Sequence, residues 1–227
     1  MTRTLLYYEW AVYPTILLAL NAIATQLAAP MQETLDKVKQ VLDYCASQEE
    51  AVITYCASDM ISAVHSNAGY LNEHKRSLAG GHFYLSNNEK YSPNNGAILN
   101  IVKVIDMAMS SAVEVELGAL FINTWEVVYL HLILTKLGHL QPKMPIQTDN
   151  STAEGVLNLT IQPKQTKAMD MRFEWLRSTR QKSSFNIICK WVKQTLPITS
   201  QNHLPAHHRN MRVDFLTRVS ELQAMRM

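Results

Sequence analysis

The segment Pro145–Gly155, PIQTDNSTAEG, places one carboxylate where chemistry is often done. Ile146 to Thr148 read as a short buried strand with Asp149 at its exit. Ser151 and Glu154 then have capping-box spacing, so a helix starts at once. One carboxylate seldom does chemistry alone, so its partners decide what the position means. His203, His207 and His208 gather near the end of the chain, but adjacent histidines point to different sides of a helix. That argues against a zinc site and leaves a phosphate contact or a surface role. Lys164, Lys167, Arg172, Arg177 and Arg180 make the C-terminal third locally basic. They either line a groove that follows a nucleic-acid backbone or form a solvated helix face with a Glu174–Arg177 pair; both readings stay open.

The elements that must hold these residues follow from the whole chain. Its 227 residues, 47% of them hydrophobic, suffice for one domain with a sizeable core and an appendage. With 21 Lys+Arg against 19 Asp+Glu the net charge is +2, so overall charge identifies no partner. Cys45, Cys56 and Cys189 have no ligand-like spacing and read as reduced thiols of a cytosolic or nuclear protein. No segment reads as a membrane span: Ile16–Ala29 is short and Ala119–Leu137 carries Glu126 and His131. The N-terminus lacks the basic start and cleavage site of a signal peptide. A soluble intracellular chain, cytoplasmic or nuclear and without a membrane, is expected.

Residues 1–50 read as two helices broken at Pro30, with Ile16, Leu17, Leu20, Ile23 and Ala24 on one and Leu35, Val38, Val41 and Leu42 on the other. From about Ala51 three strands follow, the first within AVITYCASDMISAVHSNAGYL, the second HFYLS and the third AILNIVKVI. Turn-sized gaps between them predict an antiparallel meander. Ser111 and Glu114 form a capping box for a long helix whose inward stripe is Leu117, Leu120, Phe121, Thr124, Val128 and His131. The Asp149 strand and its short helix come next. A helix over residues 166–182 turns Met169, Phe173 and Leu176 inward, FNIICKWV forms a fifth strand, and a final helix runs from about His207. The helix between strands three and four demands a parallel neighbour, hence a mixed sheet. Trp10, Trp125, Trp175 and Trp191 read as mostly core, and the eleven methionines as flexible filler.

This order of elements is that of the ribonuclease H fold, and several segments carry a closer likeness. SSAVEVELGAL resembles the segment opening the first helix in the ribonuclease H domain of copia-type LTR retrotransposons. IQTDNSTAEGVL looks like their fourth strand and following helix, and QPKQTKAMDMRFEWLR is similar to their Lys/Arg-Thr-Lys, Asp, Arg signature. LLYYEWAVYPTILLALNAIATQ and KVKQVLDY resemble the segment that joins reverse transcriptase to the nuclease in such Pol polyproteins. The implied fold is α/β and ribonuclease H-like. It has a five-stranded mixed sheet, three antiparallel strands then parallel ones, flanked by helices and preceded by a helical extension. The implied domains are a connection segment over 1–50 and the nuclease over 51–227.

The resemblance implies a Mg²⁺-dependent endonuclease that cleaves RNA in RNA–DNA hybrids beside a reverse transcriptase domain of the same polyprotein. Such a site holds two Mg²⁺ with four carboxylates, and closely spaced dications need a bridging one. Asp149 stands at the fourth-strand seat and Glu116 at the first-helix seat, while Glu114 is taken as the capping residue. The first-strand seat holds Asn67, which also suits a turn in Asn-Ala-Gly. The last seat aligns with Ile198, and no carboxylate occurs between Lys182 and Arg209. Glu174 stands where the family has His. Loss of two ligands predicts an inactive or severely impaired nuclease. A still-active enzyme with an unrecognised carboxylate, or a domesticated binding module keeping only the fold, are the alternatives.

Overall fold

The computed structural model describes Leu5, Tyr7 and residues 16–47, 53–73, 76–106, 109–160, 170–181 and 185–189. Lys164, Lys167, Met169, Ile198, the three clustered histidines, Trp10, Trp191 and the expected final helix lie outside these residues. There are two compact units, one within Met1–Thr54 and the other within Tyr55–His203. In the first, α1 (Leu17–Gln26) and α2 (Gln32–Ser47) are parted at Pro30. Ile16, Leu20 and Ile23 bury against Val41 in a small core of their own.

The second unit is built on β1 (Ile61–Glu73), β2 (Arg76–Ser86), β3 (Ala97–Val104), β4 (Met144–Thr148) and β5 (Phe185–Cys189). Their order across the sheet is β3-β2-β1-β4-β5. The first three strands pair antiparallel, whereas β4 runs parallel to β1 and β5 parallel to β4. Helix α3 (Ala112–Lys136) makes the crossover from β3 to β4; α4 (Ser151–Leu157) and α5 (Asp170–Gln181) separate β4 from β5. Strand order and sense are those expected for a ribonuclease H-like α/β fold.

Three boundaries differ from the sequence expectation. Strand β1 begins only at Ile61, after Met60 takes a left-handed φ of 61°. The run before it is tied by Asn95, whose Oδ1 accepts from the Cys56 amide (2.7 Å) and whose Nδ2 donates to the Cys56 and Leu85 carbonyls (2.9 and 2.7 Å). Strand β2 begins at Arg76 rather than His82, because pairing with β1 overrides the loop-like composition of residues 72–81. The short helix α4 is capped by Asn150, not Ser151; Asn150 Oδ1 accepts from the Ala153 amide at 2.9 Å.

Helix α3 starts as expected at Ser111, whose hydroxyl accepts from the Glu114 amide. The Glu114 carboxylate reaches back to the amide and hydroxyl of Ser110, at 2.7 and 2.8 Å, instead of to Ser111. Leu117, Leu120 and Thr124 face inward with Asn123, Val127 and Leu134, whereas Phe121, Val128 and His131 are only half-buried. The helix settles against Val64, Phe83, Met144, Ile146, Phe173, Leu176 and Phe185. Gly81 makes that approach close, since a Cβ there would overlap the Asn123 side chain. Asn123 Nδ2 instead donates to Ser66 Oγ (2.8 Å) and the Gly80 carbonyl (2.9 Å). By length and composition α3 is long and apolar enough to cross a bilayer, contrary to the expectation from sequence, although its inner side here packs on the sheet.

Candidate metal-binding carboxylate pair

The parallel ladder sets the site. His65 of β1 pairs with Gln147 of β4, and two residues further along these neighbouring strands come Asn67 and Asp149. Asp149 follows the last residue of β4 and precedes the Asn150 cap, so a strand end and a helix start fix it together. Glu116, in the second turn of α3, comes down onto this corner. Its carboxyl lies within reach of the Ala68 amide and the Thr148 hydroxyl and is repelled by Asp149.

Glu116 is only 7% exposed, and its Oε2 is buried with no hydrogen-bond partner among the described residues. Burial first, then the Asp149 charge, pushes its carboxyl up to about 8 against two weaker opposing hydrogen bonds. Asp149 is half-buried and also raised, again by burial. The pair titrates as a unit, and Glu116, deeper and facing a neighbouring charge, is the member that keeps its proton near neutrality.

Asn67 is not in a turn. It lies within β1 opposite Gly80, and its Oδ1 accepts from the Ala68 amide at 2.8 Å. The same amide lies against Glu116, which brings Asn67 to the rim of the pair as a neutral oxygen. Cys189 closes the other side, paired with Thr148 across β4 and β5. Burial and the charges of Glu154 and Asp149 raise its thiol, so it stands as neutral SH. Among the described residues no three Asp, Glu, His or Cys side chains form a metal cluster.

Two repelling carboxyls with an oxygen that no donor among the described residues reaches fit one divalent cation. The residues that would hold it are Glu116 and Asp149, with the Asn67 amide oxygen beside them. Among the described residues no third Asp, Glu, His or Cys joins the pair to form the larger cluster that a second dication needs.

The basic residues divide differently. Arg177 pairs with Glu174 (3.4 Å) and stacks over Phe173 at 4.2 Å, while Arg180 donates to the Leu157 carbonyl at 3.3 Å. Arg172 is exposed, with its guanidinium 5.5 Å above the Phe121 ring. The Glu174–Arg177 part of the helix-face reading is therefore present.

Sequence reasoning missed Thr148 and the Ala68 amide as neighbours of Glu116; only the strand register reveals them. It also missed a polar lattice on the sheet. Tyr84 Oη meets His65 Nε2 at 2.9 Å and accepts from Gln147 Nε2 at 3.4 Å. His82 lies between the Asn100 and Asn94 side chains at 2.8 and 3.1 Å. The alternation in His-Phe-Tyr, which puts His82 and Tyr84 on one face, was the available signal.

No protein-family model matches the chain, and no curated protein does. Among solved structures it is similar to LC11-RNase H1, isolated from compost by a metagenomic approach: TM-score 0.44 and 10% identity over 60% of this chain and 88% of that one. It is also similar to LC11-RNase H1 in complex with an RNA/DNA hybrid, with TM-score 0.41 and 12% identity over 57% and 83% of the two chains. RNase H1 from the halophilic archaeon Halobacterium salinarum NRC-1 gives TM-score 0.35 and 9% identity over 59% and 88%. At these scores the order and sense of the strands, not the superpositions, carry the fold.

Proposed function

We propose that this chain is a ribonuclease H-like domain of a copia-type retrotransposon Pol polyprotein, ancestrally a Mg²⁺-dependent endonuclease acting on RNA–DNA hybrids, whose own cleavage activity has been lost. One observation carries the reading: Glu116 and Asp149 meet at the exit of β4 with a buried, unpartnered carboxylate oxygen, while the rim position on β1 holds neutral Asn67. The helices of residues 1–50 belong to the same proposal as the connection to a reverse transcriptase, and an intracellular setting goes with it.

A bound divalent ion would supply the positive charge that activates water and steadies a leaving oxygen. The chain's own residues define what remains. Thr148 and the Ala68 amide orient Glu116, and Asp149 is held by the strand end and the following cap. Asn67 offers a dipole where a bridging site needs a charge, so the electrostatic gain is missing where it matters; one such contact commonly sustains ~10²–10³ in rate.

The test is incubation of the full chain with a labelled RNA–DNA hybrid and Mg²⁺. No cleavage above the protein-free control is expected. Cleavage that disappears in Asp149→Asn would overturn the inactive reading in favour of a working nuclease. Salt-sensitive hybrid binding without cleavage would mark a retained binding module.

A further inference from the structure

The face of α3 that points away from the sheet is apolar. Trp125 is 45% exposed, Tyr129 50%, Ile133 52% and the C-cap Leu137 70%, with Leu132 beside them at 55%. Trp125, expected in the core, instead packs sideways on Phe121, Tyr129 and Trp175, with ring centroids 6.4, 6.1 and 5.2 Å apart. Residues 125, 129, 133 and 137 recur every four positions and so follow one ridge of the helix. A continuous exposed patch of this kind, rich in Trp and Tyr, marks a protein contact rather than a solvated face.

The charges along the ridge identify the occupant. Position 131 is a midpoint: Trp125 and Leu137 lie equally far from it on either side, as do Tyr129 and Ile133, and Glu126 and Lys136. Neither Glu126 nor Lys136 makes an ion pair with a described residue. A two-fold axis at that midpoint lays a second α3 antiparallel across the first. Large rings then meet aliphatic side chains, and each Glu126 meets a Lys136. We propose that the outer face of α3 is a homodimer interface formed by antiparallel α3 helices of two copies of this chain. Parallel docking would set Glu126 on Glu126 and Lys136 on Lys136. A nucleic-acid strand would use the rings but not Ile133 and Leu137, and a lipid surface would have to accommodate both charges.

Sedimentation equilibrium of the full chain, with folding checked by circular dichroism, tests this. A dimer is expected. Ile133→Glu should weaken it by at least ~30-fold, as for a central anchor of an interface. Glu126→Lys alone should also weaken it, and Glu126→Lys combined with Lys136→Glu should restore it. A monomer at every concentration, a dimer that Ile133→Glu leaves intact, or a charge swap that fails to restore association would each overturn the proposal. If Ile133→Glu fails to fold, the two surface charge variants still decide it.

Discussion

Two buried polar regions of the same sheet are built on opposite terms. In the lattice around Tyr84, rings and amides close on one another: Tyr84 with His65, Gln147 and the Ser92 carbonyl, and His82 with Asn94 and Asn100. Among the buried side-chain atoms of these described residues, the one left without a partner is neutral, Gln147 Oε1. At the exit of β4 the buried atom without a partner among the described residues belongs to a chargeable group, Glu116 Oε2, and the Asp149 charge lies beside that group. Burial is shared by both regions and so does not mark function. What separates them is that one region pairs its polar groups with one another, while the other sets two carboxyls together with a buried oxygen unpartnered among the described residues.

The sharpest way to break this comparison is pH, because the two regions respond with opposite sign. Glu116 is raised from 4.5 to about 8, so its contribution is fully present below about 4.5 and is lost as pH climbs through 8, where the folded state must release a proton the unfolded chain lost earlier. His82 is lowered from 6.5, chiefly by burial, so its contribution is present above that value and is lost as pH falls below it. Urea unfolding at pH 5 and pH 8 without divalent ions should show a loss of a few kcal/mol on the alkaline side, on the order of 1.4 per pH unit where it is steepest. Glu116→Gln should remove most of that loss. An unchanged slope would mean that Glu116 is ionised when folded.

Tyr84→Phe should have the next largest effect, ~1–3 kcal/mol of stability, since it removes the buried hydroxyl that His65, Gln147 and the Ser92 carbonyl share. That loss should be similar at pH 7 and pH 8, unlike the Glu116 effect. Asn150→Ala should cost least, ~1 kcal/mol, by removing the cap on the Ala153 amide. Because the same cap fixes Asp149, this variant should also loosen Mg²⁺ binding measured by calorimetry. If it destabilises without touching Mg²⁺ affinity, Asp149 is held by β4 alone.

Much of the fold could be read from the sequence, and the errors share one physical origin. Ser111 announced α3 through a local rule, and the continuous apolar run before Asp149 announced β4. Asn-Ala-Gly offers a turn locally, but the chain on either side is committed to a ladder with β2, so the turn alternative for Asn67 falls and its first-strand position stands. Residues 76–81 were misread because a loop-like composition hides that same ladder. Trp125 was assigned inward because α3 is apolar nearly all round, which leaves a helical period little contrast to reveal its inner side. The carboxylate seats at 116 and 149 came from the resemblance. Their meeting, and the Thr148 and Ala68 groups around them, required the register of β1 against β4.

That register also bears on how the chain comes together. The β1–β2–β3 meander pairs segments close in sequence, so its loops close at small entropic cost. The β1–β4 seam joins segments some eighty residues apart, so closing it costs more chain entropy than any pairing in the meander. Asn67 sits on the early side of that seam and Asp149 on the late side. A corner that closes late on this account is tested by kinetics: substitutions there should speed unfolding far more than they slow refolding.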